Sequence, residues 1–513
     1  MKHFSYIFLI TTFVANTYAQ TPTQDVAYTT LDSINYSADF KLHNAPDLIY
    51  TNPAMRHNVY SNTQTTIAVG YRLRDEDEAI ILQEGSGDRL GVVNIESVTN
   101  KRHSALWGKA RFIAGKRINV LYNETSDFRL LAPYVMGDTV GGDLTSQTYI
   151  FGGGLVHTLG ESNFSIGIDA NYRACLEYRQ IDPRPRNSIS ELQLNIGIAY
   201  NSFDKYEIAI HANGMRYKQT NEVKFFSNLG KPITFHYTGI GTDYYRFRGS
   251  NVEAYYNGYN GGGGVDFVHK STGISAAFLY QYQTFEKILS SLNNLPLTRT
   301  TEHLIDAQVG YTNATRDRHE FHIETIYATA SINSKTGREN IFGDAQDNIY
   351  NEIGYVEQYK CNRTDLSATC VANKTFSKNS LTLRADAGTL SEKHSYALPT
   401  YELSFTQANF GARIEDLISA SKYYLFIAAS ATHNAALSSQ INLPSANIRD
   451  VSPEVYYKYM SHSSTLFALR AHLQIPTKTK YGINLFADTN ATFTHLYNGK
   501  NQVTLSLTIG AQL

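Results

Sequence analysis

The chain has 513 residues and a formal net charge of −1, so it offers no electrostatic case for nucleic acid or an acidic partner. Tyr 37 and Phe 25 against Trp 1 and Pro 12 suit a pleated surface. Beyond the N-terminus no apolar run reaches the ~20 residues that a membrane helix needs.

Met1-Lys2-His3 is a short basic lead, followed by the apolar run Phe4 to Val14 and small residues around Thr17-Tyr18-Ala19. This is the layout of a secretory signal peptide and is too short for a membrane span. No cysteine lies near the cleavage point, so a lipid-anchored N-terminus is not expected and the mature chain starts at Gln20. A secreted chain without membrane helices can still cross a bilayer as a closed barrel, in which every backbone group is paired between strands. The mean hydropathy of −0.32 fits, because half of each barrel strand faces a wet lumen.

Alternation is the decisive pattern. In Phe164 to Arg179, Phe164, Ile166, Ile168, Ala170, Tyr172, Ala174, Leu176 and Tyr178 share one face. Ser165, Asp169, Arg173, Cys175, Glu177 and Arg179 share the other. Shifting the register by one residue would put Asp169 and Arg173 into lipid, at a few kcal/mol each near the midplane. Leu192 to Ala199, Leu381 to Gly388, Ile483 to Thr492 (with Phe486 and Thr489 as exceptions) and Val503 to Leu513 repeat the pattern. Short turns near Gly160, Asn201 to Lys205, Lys270-Ser271, Thr315 to Arg318, Ser377 to Asn379, Ala420-Ser421 and Lys478-Thr479 alternate with longer irregular stretches. Those stretches are Arg179 to Ser188, Thr220 to Gly258, Leu289 to Arg299, Lys335 to Gly354 and Ser438 to Pro453. The expected architecture is an all-β transmembrane antiparallel barrel of about 18 strands, within about 14 to 20. Residues 1–19 are its signal peptide, 20–61 an N-terminal segment long enough for a hatch, and 62–513 the barrel. A soluble propeller would show a fixed-period motif per blade, and none is found; a sandwich array would need polar outer faces. Tyr280, Tyr282, Tyr423 and Tyr424 read as interface aromatics.

Few residues carry a chemical signal. Gly261 to Gly264 lacks the Lys-Ser/Thr of a phosphate loop and instead eases close packing in a strand. His319 and His322 fall on opposite strand faces, which prevents joint metal ligation. Cys361 and Cys370 likewise have odd spacing, and a disulfide is not expected. No nucleophile motif is present, so no enzyme, metal or cofactor is expected. Asp169, Arg173, Glu177, Arg179, Arg384, Asp386, Arg470 and Asp488 are the expected lumen lining, read either as a charge-selective pore or as a lumen-filling ion-pair network. Tyr244, Tyr245, Arg246, Arg248, Tyr255, Tyr256 and Tyr259 form the candidate surface-loop contact patch, with girdle and strand residues as the alternative.

Asn52-Pro53-Ala54 is similar to the start of fatty-acid-transporter-like and secretion-associated barrels. Asn123-Glu124-Thr125-Ser126-Asp127, with Pro133-Tyr134, Asp138, Gly141-Gly142, Tyr172-Arg173 and Asp182 to Asn187, resembles a Bacteroidota outer-membrane barrel family of unknown function. The resemblance implies a barrel in an outer membrane, in contact with its lipid, and brings no catalytic residues. The segment before the barrel is too short for the plug domain of a TonB-dependent receptor. The sequence points to a channel or transporter for a small solute, because about 18 strands enclose a lumen too wide to fill with side chains alone. The alternative is a non-conducting accessory barrel docking a surface lipoprotein or a transport-system partner.

Overall fold

The structure is a computed structural model that describes residues 48–58 and 63–513, apart from breaks at 161, 203–204, 229–231, 250–252, 314–320, 345–348, 421, 444–449 and 478–482. The expected signal peptide, most of the N-terminal segment and His319 lie outside the described residues.

Eighteen long strands form one antiparallel sheet. The first nine are β1 (Gln64–Glu76), β2 (Gly87–Lys101), β3 (Ser104–Val120), β4 (Gly142–Thr158), β5 (Phe164–Tyr178), β6 (Arg184–Asn201), β7 (Tyr206–Lys224), β8 (Ala254–His269) and β9 (Ile274–Leu289). The others are β10 (Leu295–Thr312), β11 (His322–Phe342), β12 (Glu352–Thr375), β13 (Asn379–Tyr396), β14 (Tyr401–Ala420), β15 (Tyr423–Asn442), β16 (Ser464–Pro476), β17 (Asn484–His495) and β18 (Asn501–Gln512). Each pairs with its neighbour in sequence, and β18 pairs back to β1 from Thr66↔Gln512 to Glu76↔Gln502, which closes the barrel. A closed sheet has no edge to leave unpaired in lipid.

The alternation sets the faces as expected. Ile166, Ile168, Leu194, Ile196, Leu505, Leu507 and Ile509 are exposed on the outside, whereas Ser165, Asp169, Arg173 and Glu177 are buried on the inside. Phe486 departs from the outward pattern because its ring stacks on His472 in the lumen, at 5.4 Å between centroids. Gly264 shows why glycines run through β8: a Cβ there would lie 2.5 Å from the His211 ring.

The irregular stretches are shorter than expected. β6 already begins at Arg184, β7 continues to Lys224, β8 begins at Ala254 and β12 at Glu352. Both faces of these strand ends meet water or loops instead of lipid, so the hydrophobic period that marks a membrane strand is lost there. Tyr255, Tyr256 and Tyr259 are therefore corrected from loop to β8. One barrel end carries the short turns, the start of β1 and the end of β18 (the turn end); the opposite end carries the longer connections (the loop end).

Candidate functional site: a filled lumen

An 18-stranded barrel encloses more space than wall side chains fill. Here several chain segments enter that space.

At the turn end, two 3-10 turns, Leu48–Thr51 and Pro53–Asn58, lie inside the wall. Asn52 organises them locally: its Oδ1 accepts from the Ala54 N–H at 3.0 Å, an Asx turn, while Pro53 starts the second turn. Its Nδ2 donates to Asp266 Oδ2 at 2.8 Å, and the same carboxylate oxygen lies 3.2 Å from His211 Nδ1. Leu48 N–H donates to Gln308 Oε1 at 3.0 Å. Leu48, Ile49, Ala54 and Met55 pack on Ala199, Ala209, Ala277 and Leu279. The fit leaves no room at the wall. A Cβ on Gly197 would lie 1.9 Å from Asn52 Oδ1, and one on Gly167 2.3 Å from the Ala54 nitrogen. Arg56 closes the arrangement, 3.4 Å from Asp169 and 5.2 Å over the ring of Trp107, the sole tryptophan of the sequence.

At the loop end, the β3–β4 connection folds inward, and Asn123 to Asp127 are almost fully buried. Asn123 Oδ1 accepts from the Thr125 N–H at 2.8 Å, and its Nδ2 donates to Gln83 O at 3.0 Å. The wall grips this plug by charge. Arg173 donates to Asp127 at 3.1 and 2.7 Å and to Glu191 at 2.6 Å. Arg117 Nη1 lies 3.0 Å from Glu177 and donates to Ser126 O at 3.2 Å, and Arg179 pairs with Asp138. Lys287 and Lys335 reach across to donate to Val135 O (2.9 Å) and Leu130 O (3.3 Å). Leu130, Leu131 and Val135 pack on Ile189, Met215, Tyr217, Tyr256 and Phe285 of the wall. Met136–Gly137 then pairs with Phe235–Gly239 of the β7–β8 connection, which pairs with Thr242–Asp243. Two loop-end connections thus share one small sheet inside the barrel. Burial away from any hydrogen-bond donor among the described residues, with Asp138 beside it, pushes the Glu124 carboxyl well above the usual carboxylate range.

A third element, the helix Ser452–Met460, packs against β14: Tyr456 sits edge-on to Phe405, and Gln407 donates to Met460 O at 2.7 Å. Its anchor is Asp450, whose carboxylate accepts from Gln83 Nε2 at 2.9 Å and from the Ser452 N–H at 2.8 Å. Burial raises this carboxyl from 3.8 to about 6. Because the folded value is raised, Asp450 contributes most below the unfolded value of 3.8, and the contribution is lost as pH rises through about 6. Hydrogen exchange of Ser452–Met460 is therefore expected to be faster at pH ~8 than at pH ~5 after correction for intrinsic rates, with Asp450→Asn removing the difference.

All eight expected lining residues face the lumen, but they split into two groups. Asp169 meets the N-terminal segment, Arg173 and Arg179 grip the plug, and Glu177 holds Arg117, which donates to Ser126 O of the plug. On the far wall Arg384 pairs with Asp386 at 2.9 Å, and Arg470 with Asp488 at 3.1 Å beside His472. The surface patch also divides. Tyr256 is buried against the plug, and Tyr244 bonds Asn340 O, while Arg246 donates to Phe342 O at 2.8 Å. Tyr245 is 78% exposed, with Arg248 at 4.9 Å over its ring. Arg117, Asp127, Asp138, Glu191 and Lys287 were not anticipated, although Asp127 and Asp138 lie in the stretch that carried the family resemblance.

A family model described as a family of unknown function, DUF6850, matches residues 53–513. The chain belongs to this family. Its matched stretch begins at Pro53, inside the segment seated in the lumen. No curated protein matches the sequence. Among solved structures, the chain is similar to the ferric yersiniabactin uptake receptor FyuA of Yersinia pestis (9% identity, TM-score 0.40, covering 88% of this chain and 80% of that one). It is also similar to the ferric preacinetobactin receptor BauA of Acinetobacter baumannii (9%, 0.39, 87% and 80%). A FadL homologue of Pseudomonas aeruginosa is a further match (10%, 0.32, 91% and 94%).

Proposed function

We propose that this DUF6850 protein is a non-enzymatic outer-membrane transporter for a small solute, and that residues 48–58 form its movable closure. The carrying observation is the seat of Asn52-Pro53-Ala54 against Gly167 and Gly197. A backbone held that closely inside a barrel blocks a path, yet a handful of hydrogen bonds and one apolar patch hold it. The plug is the fixed constriction, since two buried ion pairs, Arg173–Asp127 and Arg179–Asp138, and the hydrogen bond from Arg117 to Ser126 O tie it to the wall. With the turn end facing the periplasm, solute would pass the constriction and leave as the closure withdraws. The charged lumen residues then set which solutes pass.

Planar-bilayer conductance of purified protein tests the reading. The intact chain should give small or rare steps, and deletion of Gln20 to Arg56 should give large, stable ones. Gly197→Val should act in the same direction, because its side chain and Asn52 cannot occupy one place. Trp107 reports on the closure independently, since losing Arg56 from its ring shifts the emission of the single tryptophan. A bilayer that stays silent while Trp107 shows the segment displaced would overturn a transport role.

A further inference from the structure

The barrel wall changes height abruptly at one place. β15 stays paired with β14 up to Asn442↔Glu402, but its ladder with β16 stops at Asn434↔Ser464. Past that point the β15 backbone has a neighbour on one side, and among the described residues no strand pairs with the other. Leu437–Asn442 are exposed at every position, inward-facing and outward-facing alike, with Leu437 at 60%. The register shift opposite Thr406/Gln407 leaves Leu437 as an extra residue, a bulge that re-aims the strand where β16 gives out.

In an antiparallel ladder successive residues turn their N–H and C=O to opposite sides. Every second residue of Leu437–Asn442 therefore directs both groups to the open edge. Such a row templates another strand, and unused edges are commonly blunted with lysine or proline. Leu437-Ser438-Ser439-Gln440-Ile441-Asn442 carries neither a charge nor a proline.

Three occupants can be weighed. The chain's own described flanks lie at the lumen mouth: Leu443 packs with Ile240, Tyr359, Tyr396 and Tyr401, and the Asp450 N–H donates to Gly241 O at 3.3 Å. A second barrel in the same bilayer has the same orientation, so its β15 runs in the same sense and cannot complete an antiparallel ladder. A strand from a separate protein at the loop end meets neither obstacle, and it would continue the ladder that β14 begins. We propose that the free edge of β15, Leu437–Asn442, is a strand-addition site for an extended, uncharged segment of a partner protein outside the membrane, running antiparallel to β15. This inference stands independently of the transport reading, because it uses no lumen residue.

The test places a photoreactive residue singly at Ser438, Ser439, Gln440 and Ile441 of the full chain in intact cells, with peptide mapping of the products. One partner should be captured from all four positions, and the captured site should step backwards along the partner as the probe steps forwards along β15. Of Ser439→Pro and Gln440→Pro, the one that removes an N–H from the open edge should lose the product while the barrel keeps its heat-modifiable gel mobility. No product, a product joining two copies of this chain, a cross-link within the chain to 444–449, or capture without reversed register would each overturn the proposal.

Discussion

Ile168→Arg should sharply reduce the yield of folded barrel, whereas Asn171→Arg, three residues along the same strand, should leave it close to the parent. Ile168 is 49% exposed on the outer face of β5, between Leu155 and Ile196, which are outward-facing too. Arginine there presents its charge to hydrocarbon, at ~2–4 kcal/mol near the midplane. That is a large fraction of the few kcal/mol by which folded chains are stable. Asn171 faces the lumen, where its amide donates to Asp169 at 3.5 Å. An arginine at 171 would find that carboxylate and water, although Lys109, near Gly152 on β4, limits the gain. Heat-modifiable mobility after refolding into detergent or vesicles, followed along a urea series, compares the two. Equal losses would mean that the face assignment of β5 is wrong.

That contrast marks where the fold is legible in sequence. Strands between lipid and lumen write their register in alternate residues, because each face has its own solvent. Ile168 and Asp169 could be placed for that reason. Higher up the wall both faces of β12 meet polar surroundings, so Glu352 to Gly354 read as loop. Asn123 to Asp127 were invisible as a plug for a different reason. A polar, turn-forming stretch looks the same whether it projects into water or folds inward, and the difference is decided by partners far along the chain. Asp127 meets Arg173 across 46 residues, and Lys287 meets Val135 across 152. The seat of Asn52 depends similarly on Gly167 and Gly197, whose missing side chains leave no periodic trace. Each of these contacts is a property of the closed barrel.

Arg173→Ala should free the plug without unfolding the barrel. Arg173 is buried and bridges two carboxylates, Asp127 of the plug and Glu191 of β6. Removing it leaves two buried acids facing each other, with Tyr217 donating to Asp127 at 2.8 Å. Breaking one side of a buried pair typically costs ~3–5 kcal/mol, most of it the penalty for the charge left behind. The wall can absorb this loss, because β5 remains laddered to β4 and β6 along its whole length. The plug cannot do so as easily, since Asp127 opens the short helix Phe128–Leu131 that packs on Met215 and Tyr217. Hydrogen exchange of residues 121–141 should therefore rise strongly, while β5 and β6 keep their protection. Arg470→Ala is the matched control: it breaks a lumen-facing pair with Asp488 on the far wall and should leave 121–141 unchanged. Adding Asp127→Asn to Arg173→Ala should restore part of the protection, because the plug's own stranded charge is gone and no longer faces Glu191, while the hydrogen bond from Tyr217 is retained. If Arg173→Ala and Arg470→Ala have equal effects on 121–141, Arg173 is not what holds the plug, and the constriction rests on the apolar contacts of Leu130, Leu131 and Val135 instead.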